Sequence, residues 1–274
     1  MKVLLSQTVA STNLDGQGER IAVEHLHYAA RKWAGQRVPM NQQHRSDLPS
    51  PGYFENIRLL PDEANPDEWR LVADIYYDET MVVDPVGGLS IAFLEPIRKA
   101  ESAEMFQVFV PFPHYKDEQF LDELFEEGYV SVGRYGKKSV ELEQAALIAT
   151  VVVAVLAPMW DKIWKETIGP AVSEFFQRKF PLLRARGIHA ELLQHLDYEG
   201  THVEVTFVPQ RGSEERCFGV EKTYPAMLQV HDFLAALDVN HVTVAKVFMI
   251  FEASLDQFKM VRVHFVDGTV EHIG

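Results

Sequence analysis

The amino-acid sequence predicts an α+β fold with a β-rich N-terminal part, a central helical segment and a small C-terminal α+β module. Three observations lead to this prediction. Short alternating apolar runs, separated by Gly and Pro turns, fill the first half of the chain and are typical of strands and hairpins. A long apolar run then leads into apolar positions at helical spacing. Further alternating runs flank one helical pattern near the end. We therefore expect domains at 1–130 and 187–274, with a helical segment at 139–181.

Alternating apolar residues predict the strands of the N-terminal part. These expected strands cover residues 2–10, 52–60, 70–77, 89–94 and 105–110. The second and third of them surround an acidic turn and should form a hairpin. Helical spacing predicts a helix over 19–35 and a short acidic helix over 117–127. The N-terminal part is thus expected to be mainly strand.

The rest of the chain is expected to combine a long helical region with a compact module. One long helix or two broken ones should extend to about residue 180, with Gly169-Pro170 as the break and a basic linker after Pro181. The expected strands of the C-terminal module cover residues 188–196, 202–208, 242–251 and 258–266. A helix over 225–237 should lie between the two pairs of strands.

The apolar run from Ala145 to Trp160 allows two interpretations. Its sixteen residues include Thr150 as the only polar one, whereas a membrane-spanning helix needs about 20 apolar residues. It is therefore either a borderline membrane helix or a helix buried on all sides, for example in the core of a homo-oligomer. Its position between two expected soluble modules favours membrane contact through residues 145–176.

Composition excludes several classes of function. The chain has 26 Lys and Arg against 40 Asp and Glu, a net charge of −14, which argues against nucleic acid and anionic lipid surfaces as partners. Cys217 is the single cysteine, so an internal disulfide is impossible and a reducing, cytoplasmic location is favoured. The eleven histidines are scattered; His25 and His27, for instance, lie on different sides of a helix. We expect no metal site and no cofactor.

A series of short motifs in the N-terminal part occurs in a distinctive order. Ser11–Ile21 contains Asp15 and two glycines, and Val38–Met40 leads to His44. Gly52 then opens a strand, and Gly88–Phe93 holds a serine. In this order and spacing, residues 6–115 resemble the HK97-type phage prohead proteases. The resemblance implies a β-rich barrel domain with serine peptidase activity towards a protein substrate.

The resemblance also implies roles for three residues. Ser90 would be the nucleophile and His44 its general base, since a serine hydroxyl needs a neighbouring base to take its proton. Gln107 occupies the position where the family commonly has an acidic residue that orients the imidazole. A neutral amide orients the ring but stabilises its charged form poorly, and Glu104 and His114 are alternatives for this role. Ala92, in place of a glycine, is a further departure from the family.

Two functional hypotheses follow from these features. The first is a serine peptidase that uses His44 and Ser90, acts on a phage or host protein and is attached to a membrane or an oligomer through its central helix. The second is a binding or assembly protein without catalysis, in which the apolar helix is the working part. Gln107 favours the second hypothesis, and the intact His44 and Ser90 favour the first.

Overall fold

The structure, a computed structural model, describes most of the chain in ten stretches. They are residues 1–15, 18–42, 48–82, 92–100, 106–126, 128–137, 146–156, 162–210, 212–237 and 243–273. The chain divides into two compact units. The first unit consists of residues 1–93, 136–143 and 267–270, and the second of residues 94–135, 144–266 and 271–274.

The described residues form strands, helices and short helical turns in the following order. The strands are β1 (Lys2–Ser11), β2 (Val38–Pro39), β3 (Gly52–Pro61), β4 (Trp69–Tyr77), β5 (Ala92–Arg98), β6 (Phe106–Pro111), β7 (Val130–Lys137), β8 (Ala146–Leu156), β9 (His189–Tyr198), β10 (Thr201–Val208), β11 (Val244–Glu252), β12 (Gln257–Phe265) and β13 (Val270–His272). The helices are α1 (Val23–Lys32), α2 (Glu118–Leu124), α3 (Gly169–Ala185), α4 (Glu214–Cys217) and α5 (Val220–Ala236). Short helical turns cover Glu79–Met81, His114–Lys116 and, as a π-helix before α3, Trp164–Ile168.

The first unit contains an antiparallel sheet with the strand order β1-β4-β3-β2. Helix α1 packs on this sheet because Leu26 and Ala29 lie on one side of the helix and are buried against Leu71 and Ala73 of β4. The expected hairpin of β3 and β4 is confirmed. Its strands and α1 supply the core of the first unit.

The barrel predicted for the N-terminal part is wrong. The sheet is open, with β1 at one edge and β2 at the other. Strand β2 has only two residues, and its Pro39 lacks the N–H group that would pair with a further strand. The expected later strands, β5 and β6, lie in the other sheet. Four strands are also far fewer than the eight or so that close around a filled interior.

A buried carboxylate organises the middle of the first sheet. Asp74 of the central strand β4 accepts a hydrogen bond from the Ser6 amide of β1 at 2.8 Å and another from Asn56 Nδ2 of β3 at 2.9 Å. Both neighbouring strands bulge at this point, and Ser6 and Asn56 have positive φ angles of 52° and 54°. Such backbone conformations are unfavourable for residues other than glycine. The carboxylate therefore stabilises two bulges that face each other across β4.

The second unit is built around a nine-stranded sheet with the order β13-β12-β11-β10-β9-β8-β6-β7-β5. Its parallel pairs are β6/β7, β8/β9 and β10/β11, and a helical connection links the two strands of each pair. The helices bury large side chains against the sheet, among them Phe120, Trp164, Phe175, Phe176, Phe218 and Met227. One apolar core thus extends under the helices.

The predicted central helical segment at 139–181 is wrong in its first half. Residues 146–156 form strand β8, which pairs antiparallel with β6 and parallel with β9. A continuous apolar run suits an inner strand as well as a buried helix, and periodicity does not distinguish them. Three successive valines, Val151 to Val153, favour the strand because β-branched side chains pack well on a pleated surface. The second half is helical, as predicted.

The expected strands and helix of the C-terminal module are present as β9 to β12 and α5. However, their sheet continues through β8 into β6, β7 and β5, so the prediction of a separate small module is wrong. The predicted linker is wrong as well, because α3 continues through Pro181 to Ala185. Among the described residues, no helix is long and apolar enough to span a membrane.

We expect the substitution Asp74→Ala to destabilise the first unit by about 2–3 kcal/mol, because two donors lose a charged acceptor. Hydrogen bonds from Ser6 and Asn56 lower the pKa of Asp74 below its ordinary value. The stabilisation is therefore present at neutral pH and lost as the pH falls below about 4. Hydrogen exchange of the β1, β3 and β4 amides measures the effect. The exposed Asp67→Ala variant is the control, and equal exchange in both variants would contradict the role of Asp74.

Candidate functional site

The structure locates one of the three predicted catalytic residues. His44 lies in residues 43–47 and Ser90 in residues 83–91, both outside the described residues. Gln107 is half-buried in β6, where its register neighbours are Ser131 on β7 and Thr150 on β8. Gln107 belongs to the second unit, whereas the segments carrying His44 and Ser90 belong to the first. The assignment of these three residues to one site stays a prediction.

The described residues around both segments are joined by one side chain. The Gln42 amide donates a hydrogen bond to the Pro49 carbonyl at 2.8 Å and another to the Met81 carbonyl at 2.9 Å. Gln42 and Pro49 stand on either side of the segment with His44, and Met81 stands just before the segment with Ser90. The Gln42 side chain is buried. A single carboxamide therefore holds together three described residues that flank the two segments.

The backbone around Gln42 is positioned by strand pairing. The Met40 amide donates to the Gly52 carbonyl at 2.8 Å, and the Asp78 amide donates to the Pro51 carbonyl at 2.8 Å. Gly52 is required here, because a Cβ atom at this position would lie 1.9 Å from the carbonyl oxygen of Tyr76. The glycine at this position of the motif series is thus required for steric reasons. It lets β3 approach β4 closely at the start of β3.

The turn that contains Met81 has its own cap. The Asp78 carboxylate accepts hydrogen bonds from the Thr80 amide at 2.9 Å and from the Thr80 hydroxyl at 2.7 Å. The hydroxyl and the amide of Thr80 hold the pKa of Asp78 below its ordinary value. The Met81 carbonyl is consequently presented to Gln42 by a turn that Asp78 stabilises from the other end.

The opening motif of the sequence has a structural role among the described residues. Thr12 donates a short hydrogen bond to buried Glu68, and its hydroxyl accepts from the Trp69 amide at 2.8 Å. Arg20 pairs with the same Glu68 carboxylate. Asn13 donates to Asp62 at 2.7 Å. These contacts tie the end of β1 to the turn between β3 and β4, which accounts for the polar residues of the motif without assigning them chemistry.

His114, an alternative for the third catalytic role, is placed in the second unit. Its ring lies 6.1 Å from the Phe120 ring, and burial together with nearby Arg186 lowers its pKa below the ordinary value. Glu104, the other alternative, lies outside the described residues.

The second unit presents a polar face that the sequence analysis missed. The helices cover one face of the sheet, and a row of cross-strand neighbours runs over the other through His195, Glu204, Lys246 and His264. Glu204 and Lys246 form an ion pair. The signal for this row is strand register, which a linear sequence does not display. Along the chain, only a turn separates the strands of His195 and Glu204, and likewise those of Lys246 and His264. A helical connection separates Glu204 from Lys246.

His264 is the most perturbed group of this row. It is only 4% exposed, its ring lies 4.8 Å from the Phe248 ring, and its Nε2 makes no hydrogen bond to any residue that the structure describes. Burial, followed by the charges of Arg262 and Lys246, lowers the pKa of His264 to about 3. The imidazole is therefore neutral at physiological pH.

A pair of histidines lies at the end of the same face. His195 Nδ1 and His202 Nε2 are 2.9 Å apart, and the two rings are stacked with centroids 4.8 Å apart. Nothing in their sequence separation resembles a metal-ligand motif. Within the stretches that the structure describes, no three His, Cys, Asp or Glu side chains converge as a metal site.

A polar cleft of about 240 Å³ lies between α3, α5 and the turn after β11. Lys222 pairs with Asp256 at its rim, and Arg216 lies 3.7 Å from the same carboxylate. These charges are partnered with one another, so they contribute to local packing and give no argument for chemistry in the cleft.

Comparison with known proteins gives no relative for this chain. No protein-family model, no curated protein and no solved structure matches it.

We expect Gln42→Glu to loosen the connection between the two segments, because a carboxylate would face the Pro49 and Met81 carbonyls without a proton to donate. The expected loss is about 1–3 kcal/mol of local stability. Hydrogen exchange at Thr80–Val82 and Leu48–Gly52 measures it. Gln36→Glu, at an exposed position, is the matched control. Unchanged exchange in Gln42→Glu would show that the two hydrogen bonds do not hold the segments.

We expect His264 to make the stability of the second unit depend on pH. Because its pKa in the folded protein is lowered from 6.5 to about 3, the neutral form is stabilised by folding. This contribution is complete above about pH 6.5 and declines, by up to about 1.4 kcal/mol per pH unit, as the pH falls towards 3. His264→Phe should reduce the decline in unfolding free energy between about pH 7 and about pH 5. An identical decline in wild type and variant would contradict this role.

Proposed function

We propose that the protein is a serine hydrolase acting on a protein substrate, with Ser90 as the nucleophile and His44 as its general base. The observation that carries this proposal is the pair of hydrogen bonds from Gln42. They hold the chain two residues before His44 next to the turn that leads into the segment of Ser90. A nucleophile and its base need a hydrogen bond between them, and this arrangement of the flanking residues is compatible with such a contact.

The proposed chemistry follows the acyl-transfer scheme. The Ser90 hydroxyl attacks the carbonyl carbon of a peptide bond while the His44 imidazole takes the hydroxyl proton. Backbone amides would stabilise the negative oxygen of the tetrahedral intermediate. Its collapse breaks the C–N bond, and the imidazolium returns the proton to the leaving amine. Water then attacks the acyl-serine by the same steps and releases the acid product.

The third position of the proposed site sets its expected strength. The resemblance assigns this position to Gln107, whose carbonyl oxygen can accept the second N–H of an imidazole. A neutral acceptor stabilises the imidazolium less than a carboxylate does. We therefore propose a slow hydrolase. The role of Gln107 remains a prediction from the resemblance and does not carry the proposal.

A fluorophosphonate probe tests the proposal directly on the full chain. Wild type should be labelled, with the label on the peptide that contains Ser90. Ser90→Ala should abolish labelling. His44→Ala should slow it by about a hundredfold or more, as expected for the loss of a general base. Gln42→Ala should slow it as well, if the two segments depend on the Gln42 hydrogen bonds.

Ser254→Ala is the matched control, since Ser254 is an exposed serine whose hydroxyl donates to Glu252 at 2.8 Å. Labelling of this variant should equal that of wild type. Equal labelling of Ser90→Ala, or no labelling of folded wild type, would overturn the proposal. Either result would favour the competing hypothesis, a binding protein without catalysis.

A further inference from the structure

The tight turn between β9 and β10 brings two histidines of the second unit together. Glu199 and Gly200 form this turn with positive φ angles of 50° and 79°, which match the two central residues of a type I′ hairpin. The register pairs Asp197 with His202 and Glu204 with His195. His195 and His202 are therefore diagonal neighbours on the face of the sheet opposite the helices.

The two imidazoles meet through their nitrogen atoms. His195 Nδ1 lies 2.9 Å from His202 Nε2, so one ring donates a proton to the other. A metal ion bound to both rings would replace this proton and would lie to one side of the line between the two nitrogens. With metal–nitrogen bonds of about 2.0–2.1 Å, two ligand nitrogens are about 2.9 Å apart at a right angle and about 3.3 Å apart at the tetrahedral angle. The separation of the two nitrogens therefore suits metal coordination, and rotation of the rings would direct both lone pairs at one ion.

Two carboxylates stand beside the pair in the sheet register. Asp197 Oδ1 accepts from the Gly200 amide at 3.2 Å, which holds the side chain at the end of the hairpin. Glu204 pairs with Lys246. His202 is exposed, so an ion can reach the pair from solvent. The net charge of −14 favours cations over anions near the protein.

We propose that His195 and His202 form a binding site for a divalent transition metal ion, Cu²⁺ or Zn²⁺, with Nδ1 of His195 and Nε2 of His202 as its two fixed ligands. Imidazole nitrogens suit both ions, and Cu²⁺ binds the more tightly of the two. Water, or the carboxylate of Asp197 or Glu204 after rotation from its present partner, completes the coordination. This site is independent of the proposed hydrolase, whose nucleophile and general base belong to the other unit.

Copper binding to the full chain tests the site. Titration calorimetry with Cu²⁺ and with Zn²⁺ should give one site of micromolar affinity or tighter. The electron paramagnetic resonance spectrum of bound Cu²⁺ should show coupling to imidazole nitrogen. His195→Ala and His202→Ala should each weaken binding about a hundredfold. Binding should also weaken as the pH is lowered, because protons compete with the metal ion for imidazole nitrogens.

His27→Ala is the control, because His27 is exposed on α1 and lies 5.6 Å from the Trp69 ring rather than beside another histidine. This variant should bind metal as wild type does. Circular dichroism without metal establishes that the variants fold, and His195→Gln and His202→Gln replace any that do not. Equal metal affinity in wild type and in both single variants would overturn the proposal.

Discussion

Strand β8 is the element on which the continuity of the second unit depends. It pairs antiparallel with β6 on one side and parallel with β9 on the other, so both of its edges donate and accept backbone hydrogen bonds. Among the described strands, five lie beyond its β9 edge and three beyond its β6 edge. If β8 were a helix, β6 and β9 would each expose a row of unpaired backbone groups, which is costly for buried chain. The continuity of the nine-stranded sheet therefore requires this apolar run to be a strand.

Buried polar side chains, more than a large apolar core, hold the strands of the first unit together. Asp74 holds the bulges of β1 and β3 on either side of β4, and Glu68 ties the end of β1 to the next hairpin. Gln42 joins the segments that carry the predicted base and nucleophile. Each of these groups is satisfied by several partners, as burial of a polar group requires. The first unit, to which the proposed chemistry is assigned, is thus held in its conformation by these hydrogen bonds.

Local sequence patterns predict part of this fold well. Short apolar runs bounded by turn residues locate β3, β4, β9 and β10, and in β9 buried residues alternate with half-buried ones along most of the strand. The same approach fails for β8, because its continuous apolar run lacks alternation and its periodicity does not distinguish a strand from a buried helix. The barrel prediction fails for another reason. Sheet closure depends on which strands are neighbours, and short motifs in a given order do not determine pairing.

The sequence also predicts the residues of the two proposed sites to different degrees. Ser90, His44 and Gln107 come from motif order, which names residue types but gives no distances between them. The pair of His195 and His202 escapes a search for ligand spacing, since a helical motif places ligands three or four residues apart, whereas a hairpin brings together residues whose separation depends on its turn. The sequence does contain a histidine on each side of the Glu199-Gly200 turn. This pattern indicates a pair of neighbouring histidines only once the register of the two strands is known.

The distance between the Ser90 hydroxyl and the nearer nitrogen of the His44 ring decides whether these two residues form a catalytic pair. A crystal structure of the full chain with a phosphonate bound measures this distance. We expect a distance within hydrogen-bond range, about 2.6–3.2 Å, with the Gln42 amide still bonded to the Pro49 and Met81 carbonyls. A Ser90 hydroxyl that points away from His44, with the two residues on different sides of the first unit, would contradict it.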